Sequence, residues 1–117
     1  MPLTPESEIR EVYGLNDNER ELIEVFMQGA IYCWIKNKTE IPFAVRDLVG
    51  GVNSDWNGTP LQVLYDKHIK AGKDEDASFE SAAIDLGWIV KKLLSNDNRL
   101  FKKGTNGLVN TYLWIPN

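Results

Sequence analysis

The fold is decided by residues 74–115, which read DEDASFESAAIDLGWIVKKLLSNDNRLFKKGTNGLVNTYLWI. In the first half of this stretch, apolar residues recur at steps of three and four, which places them on one side of a helix with 3.6 residues per turn. These residues are Phe79, Ala82, Ala83, Leu86, Val90, Leu93 and Leu94. The spacing predicts a helix over residues 75–95, ended by the turn-forming residues 95–98.

Two short runs rich in apolar residues follow this helix. They cover residues 99–103 and 108–115, and the four residues between them are Gly104, Thr105, Asn106 and Gly107. Two such runs with a Gly-containing connection predict a β-hairpin turned over at residues 104–107. In the second run, apolar side chains occur at both odd and even positions, which indicates a strand covered on both faces or a bulge.

A second long helix is predicted nearer the N-terminus. Asn16 is followed three residues later by Glu19, the spacing of a capping box, which satisfies the first free N–H groups of a helix. Apolar residues then fill more than half of the helix surface up to residue 35, so we expect a central buried helix in which Cys33 is a small buried hydrophobe. Gly29 in its middle costs about 1 kcal/mol of helix propensity, and a close helix crossing would explain it. Residues 1–15 are predicted to be a flexible arm with one short helix over residues 6–13, and residues 16–117 to be one domain.

Shorter elements are predicted between the two long helices. Pro42 breaks the first helix, residues 43–45 suit a short strand that pairs with the hairpin, and a brief helix then ends at Gly50-Gly51. A further amphipathic segment begins after Pro60 and ends at Gly72. One side of this predicted helix carries Leu61, Leu64, Tyr65, His68 and Ile69.

The order of these elements over residues 16–115 resembles a winged helix-turn-helix domain. The implied fold is α+β and mostly helical, with an inserted helix before the recognition helix and a C-terminal β-hairpin wing. The resemblance implies that the long helix and the wing contact double-stranded DNA, with Ser78, Asp85 and Trp88 also facing outward. The residues expected to meet DNA are Ser81, Lys91, Lys92, Arg99, Lys102, Lys103 and Asn106.

The distribution of charge supports this hypothesis only in part. The chain has a net charge of -4, whereas its last segment, residues 96–117, carries three bases and one acid and is therefore net +2. Positive charge on the predicted wing suits phosphate contacts, but acidic residues on the predicted recognition helix would repel phosphate. A homodimer that places two wings on one duplex would strengthen weak contacts.

A second hypothesis makes the same fold a protein-interaction or dimerisation module without nucleic-acid binding. Trp56, Ile84 and Trp88 are the candidate interface residues, because large apolar side chains outside the main apolar side of a helix or in a loop are typical of interface centres. For Trp88, packing into the core is the favoured interpretation. Fold alone does not decide between the two hypotheses.

Catalysis and metal binding have little support in the sequence. One histidine and one cysteine cannot form a zinc site, and Gly50-Gly51 lacks the lysine and hydroxyl of a phosphate-binding loop. We interpret His68 as a histidine at the core edge with a hydrogen-bond partner, and the acidic residues 74–76 as a solvated helix start. We therefore expect that the protein is not an enzyme and that it binds no cofactor and no metal. No apolar run reaches the length of a membrane span, and a single cysteine suits a reducing compartment, so we expect a cytoplasmic location.

Overall fold

The structure is a computed structural model that describes residues 3–4, 8–51 and 54–116. Within these residues the chain forms four helices and a three-stranded mixed sheet, an α+β arrangement. The elements in chain order are β1 (Leu3–Thr4), α1 (Asp17–Asn37), α2 (Val45–Leu48), α3 (Gln62–Lys70), α4 (Glu75–Asn96), β2 (Leu100–Asn106) and β3 (Val109–Ile115).

The two long helices begin and end where local sequence predicts. Asn16 caps α1: its side chain accepts from the N–H of Glu19 at 2.8 Å, and the Glu19 carboxylate accepts from the N–H of Asn16 at 3.0 Å, so the predicted capping box is confirmed. Asp74 caps α4 by accepting from the N–H of Ala77 at 2.8 Å. The predicted helix over residues 75–95 is confirmed and extends by one residue.

The predicted hairpin is confirmed, but the turn is shorter than the sequence suggested. β2 continues through Gly104 to Asn106, which pairs with Val109, and only Gly107 and Leu108 connect the strands. Gly107 has a φ of +65°, whereas Leu108 has a negative φ, as in the type II′ turn whose twist matches that of the flanking strands. The four residues 104–107 are therefore mostly strand, and the prediction of a turn there was wrong.

The sheet has an additional member that the sequence did not predict. Leu3–Thr4 pairs in parallel with β2, Leu3 opposite Phe101, and both side chains are buried. Val12 is buried too, so the described part of the predicted arm packs on the domain. Of the short helix predicted over residues 6–13, residues 6 and 7 lie outside the described residues, and residues 8–13 are not helical. On the other edge, Phe43 forms the expected bridge to Tyr112 of β3.

One core joins the helices to the sheet. Its largest fully buried side chains are Leu3, Ile23, Met27, Ile31, Phe43, Leu61, Leu64, Leu86, Leu94 and Phe101. The prediction that α1 is buried over most of its surface was wrong: α1 buries one side only, and its opposite side, including Cys33, is exposed. The reason is that elements of the domain pack against one side of α1 only.

Candidate functional site

A groove of about 940 Å³ lies between α4, the hairpin and α2 with the residues that follow it. This volume is in the range of sites that bind small molecules or peptide side chains. We name it the α4–hairpin groove, and its apolar lining includes Val45 and Val49 from the α2 region, Ala83, Ile84 and Gly87 from α4, and Leu108 from the hairpin turn.

The wall contributed by α4 follows from the spacing of its apolar residues. Ala82 and Leu86 are buried, and Ile84 lies two residues from each, which is about 200° around the helix. Ile84 therefore points away from the core and is 56% exposed. Gly87 lies on the same outward side, where a Cβ atom would meet no atom within 4 Å. The long helix thus carries a second, partly apolar strip that no described element covers fully.

The hairpin turn contributes the most exposed apolar side chain of the groove. Leu108 follows Gly107 in the two-residue turn and is 104% exposed, so its side chain contacts little of its own chain. A type II′ turn favours glycine at its first position, but its second position accepts polar residues equally well. Turn geometry therefore does not account for a leucine at this position.

The β3 strand offers main-chain groups beside the groove. In an antiparallel ladder, alternate residues direct their N–H and C=O groups to the same edge. Tyr112 uses this edge to bond Phe43 in both directions at 2.8 Å, so Asn110, two residues earlier, directs its own groups the same way. Asn110 lines the groove, and no described backbone group bonds it on this edge. It leaves a donor and an acceptor for a bound chain.

Charges are unevenly distributed around the groove. Asp76 and Glu80 lie one helical turn apart in the first half of α4, and both line it. Lys91 lines it further along α4, but its side chain is only 7% exposed and lies 5.1 Å from the centre of the Trp88 ring. Burial is the main cause that lowers the pKa of Lys91; the nearby Lys103 lowers it further. The exposed charges that line the groove are therefore acidic at the start of α4 and basic at α2, where Arg46 lies.

The predicted DNA-contacting residues do not form one free basic surface. Lys92 forms an ion pair with Glu11 at 2.8 Å, and the Arg99 guanidinium stacks 4.2 Å from the centre of the Tyr32 ring. Lys91 is buried, so the prediction that it faces outward was wrong. On the hairpin, Lys102 and Asn106 are exposed, and Lys103 is half-buried.

Contacts with α3 and with the residues that follow it explain why other residues of α4 are not free. The Ser81 hydroxyl accepts from Lys73 Nζ at 2.8 Å. One oxygen of Asp85, Oδ2, lies 2.8 Å from both Lys67 Nζ and His68 Nε2 of α3. Asp85 was expected to face outward, and it instead joins α3 to α4. The interpretation of His68 as a core-edge histidine with a hydrogen-bond partner is confirmed.

Ser78 and Trp56 also differ from their predicted positions. Ser78 was expected to face outward, yet it is fully buried against the residues before α4. Trp56 was expected to be an exposed aromatic, yet it is 6% exposed, because its ring packs 5.4 Å from that of Phe79 and its Nε1 donates to Ser54 Oγ at 2.9 Å. Both side chains belong to the core, and Trp56 forms part of the groove wall.

All three predicted interface residues line the groove, but of these only Ile84 and Trp88 are not buried. Ile84 is exposed, and Trp88 is half-buried with the Arg10 guanidinium 5.3 Å from its ring centre. Gly87 and Leu108 also line the groove but were not predicted from the sequence. For Gly87 a signal is present, because a glycine inside a helix contradicts local preference, whereas Leu108 was predicted to begin the second strand of the hairpin.

No family model, curated protein or solved structure matches the chain. Among residues 3–4, 8–51 and 54–116, no cluster of three or more His, Cys, Asp and Glu side chains is arranged to hold a metal ion. No helix in the described part of the chain combines the length and the apolar character that a membrane crossing requires.

Proposed function

We propose that the chain is a winged-helix-type interaction module that binds another protein in the α4–hairpin groove. The observation that carries this proposal is the combination of Ile84, Gly87 and Leu108, three residues whose exposure or residue type the fold does not require. The winged-helix assignment is supported by the element order, in which four helices, α3 among them as the inserted one, precede a hairpin and Phe43 bridges β3.

The proposed partner is a segment with apolar side chains and at least one lysine or arginine. Apolar anchors suit Ile84 and Leu108, because removing exposed apolar surface from water is the main driving force of association. A basic residue suits Asp76 and Glu80, whose carboxylates line the first half of the groove. The outward N–H and C=O groups of Asn110 supply main-chain hydrogen bonds.

Duplex DNA is the alternative occupant of the same surface, and the charges favour it less. Asp76 and Glu80 lie where a phosphate backbone would approach α4, and the hairpin offers only Arg99, Lys102 and Lys103 against them. Of these three bases, Arg99 stacks on Tyr32, and Lys103 is half-buried.

The test uses a random 12-residue peptide library displayed on phage, selected against the full chain. Selected peptides are synthesised with a fluorescent label, and their Kd is measured by fluorescence polarisation. We expect apolar peptides with a basic residue, and an Ile84→Asp variant that binds at least tenfold more weakly, because burying one isoleucine contributes about 1.5 to 3 kcal/mol. Ile69→Asp is the matched control, since Ile69 is an exposed isoleucine on α3 outside the groove.

Results of two kinds would overturn the proposal. One is a failure in the peptide experiment: either no peptide is selected, or Ile84→Asp and Ile69→Asp bind the selected peptides equally well. The other is binding of a 20-base-pair duplex that weakens steeply with salt and is abolished by Lys102→Glu with Lys103→Glu, while Ile84→Asp leaves it unchanged. That second result would assign the hairpin to DNA.

A further inference from the structure

The outward side of α1 carries a second apolar surface, separate from the α4–hairpin groove. Leu22, Val25, Phe26 and Tyr32 on this side are between 39% and 66% exposed, and Cys33 is exposed as well. Four exposed apolar side chains in register on one helix form a continuous strip, whereas single exposed hydrophobic residues are ordinary. We name it the α1 stripe: Leu22, Val25, Phe26, Gly29, Tyr32, Cys33 and Lys36.

Gly29 lies at the centre of the α1 stripe. Met27 and Ile31 are fully buried, and Gly29 lies two residues from each, about 200° around the helix and opposite the core. A Cβ atom at Gly29 would meet nothing within 4 Å, so no packing inside the domain requires a glycine there. Glycine inside a helix is unfavourable, but it lets a second helix approach closely. Within the described residues, no helix crosses α1 at this point.

The α1 stripe is symmetric about Gly29. Val25 and Cys33 lie four residues before and after it, Phe26 and Tyr32 lie three residues before and after it, and the other pair in the stripe, Leu22 and Lys36, lies seven residues away. In two antiparallel helices that cross at this glycine, each residue lies level with the one at the mirrored position. An interface with twofold symmetry needs this kind of self-complementarity.

We infer that α1 pairs with α1 of a second copy, antiparallel and with the twofold axis at Gly29. Phe26 then packs on the second copy's Tyr32, and Val25 on its Cys33. The charges fit this direction: the first half of α1, residues 17–27, carries four acids and one base, Arg20, and Lys36 occupies its last turn. Antiparallel pairing brings acids next to bases, whereas parallel pairing would bring like charges together.

The expected dimer is a reversible one. The α1 stripe is one side of a helix that is about 32 Å long at 1.5 Å per residue. A stable interface commonly buries roughly 800 Å² per partner, and we expect one side of a helix of this length to bury less. Dissociation should therefore be measurable by sedimentation velocity as the protein is diluted from millimolar to micromolar concentrations under reducing conditions. A monomer at every concentration would contradict the inference.

Gly29→Gln is the variant that separates the dimer from the fold. Glutamine has good helix propensity and points into open space in the monomer, so circular dichroism should show a folded chain. In the dimer, its side chain would hold the two helices apart, and we expect the Kd of dimerisation to rise at least tenfold. The matched control is Ile69→Gln on α3, which should leave the Kd unchanged. Equal Kd values for Gly29→Gln and the parent chain would refute the crossing at Gly29.

Disulfide trapping tests the direction of pairing. Positions 25 and 33 lie eight residues apart on α1, about 12 Å along the helix. In the antiparallel dimer, the two copies of Cys33 are separated by this same distance, which exceeds the roughly 7 Å that a disulfide can span between Cα atoms. Oxidised Val25→Cys should therefore form a reducible covalent dimer through Cys33 of the second copy. The parent chain, and Val25→Cys combined with Cys33→Ser, should not. A covalent dimer of the parent chain, or none for Val25→Cys, would overturn antiparallel pairing.

Discussion

Replacing Gly87 with alanine should stabilise the protein. Gly87 lies well inside α4, its φ is not positive, and a Cβ atom would meet no atom within 4 Å, so alanine fits without a clash. Alanine exceeds glycine in helix propensity by about 1 kcal/mol. For 117 residues the entropy of unfolding is about 0.25 kcal/mol per kelvin, so this gain corresponds to a rise in Tm of about 4 °C.

The free energy of unfolding can be measured by urea titration, followed through tryptophan fluorescence. Gly72→Ala is the matched control: a Cβ there also meets nothing within 4 Å, but Gly72 has a φ of +98°, so the substitution should cost about 1 to 2 kcal/mol. If Gly87→Ala were less stable than the parent chain, the fold itself would require Gly87. Gly87 would then be no evidence for a binding function of the α4–hairpin groove.

Three further substitutions test other parts of the structure. Burial raises the pKa of Tyr112 to about 12, whereas in the unfolded chain its pKa is about 10, so stability should fall by about 2 to 3 kcal/mol between pH 10 and pH 12. Tyr112→Phe should remove that part of the loss, as measured by unfolding at each pH. Leu3→Ala should cost about 2 to 4 kcal/mol in urea titration, because Leu3 is fully buried in the sheet, and a change below 0.5 kcal/mol would show that β1 does not dock. Asp85→Ala should cost about 1 to 3 kcal/mol, because His68 loses its partner and Lys67 keeps only the Tyr13 carbonyl; unchanged stability would show that this contact contributes nothing.

Local chemistry in the sequence was enough to place the long helices and the hairpin. The Asn16 and Glu19 capping pair and the spacing of Ala82, Leu86 and Val90 are local signals: α1 begins directly after Asn16, and α4 lies within one residue of its predicted ends. Gly104 was placed in the turn because glycine usually indicates one. It lies in β2, where its missing side chain lets Thr111 approach, since a Cβ there would meet Thr111 Oγ1 at 3.3 Å.

The exposure of side chains depended on contacts between distant segments and could not be predicted. α1 has apolar residues on two sides, and the pattern alone does not tell which side the domain covers. Asp85 looked like a free residue of α4 until α3 supplied Lys67 and His68. Trp56 lies in a polar loop, and only its contact with Phe79 buries it.

Half of the proposed binding surface was accessible from the sequence. Ile84 and Trp88 were identified because they lie off the main apolar side of the helix, and both line the α4–hairpin groove. Leu108 was missed because it was predicted to begin the second strand, whereas β3 begins at Val109 and Leu108 lies in the turn. Gly87 was not singled out, although a glycine inside a helix contradicts local preference. Residues that contradict local preference are the ones expected at functional surfaces.

The most direct test is a map of backbone amide chemical shifts in the ¹⁵N-labelled protein, recorded as a phage-selected peptide is added. Binding in the α4–hairpin groove predicts that the largest shifts occur at Ile84, Gly87, Leu108 and Asn110, and that the α1 stripe around Gly29 is unaffected. Shifts confined to α1, or to Lys102 and Lys103 at the hairpin, would contradict the proposal that this groove is where the protein binds its partner.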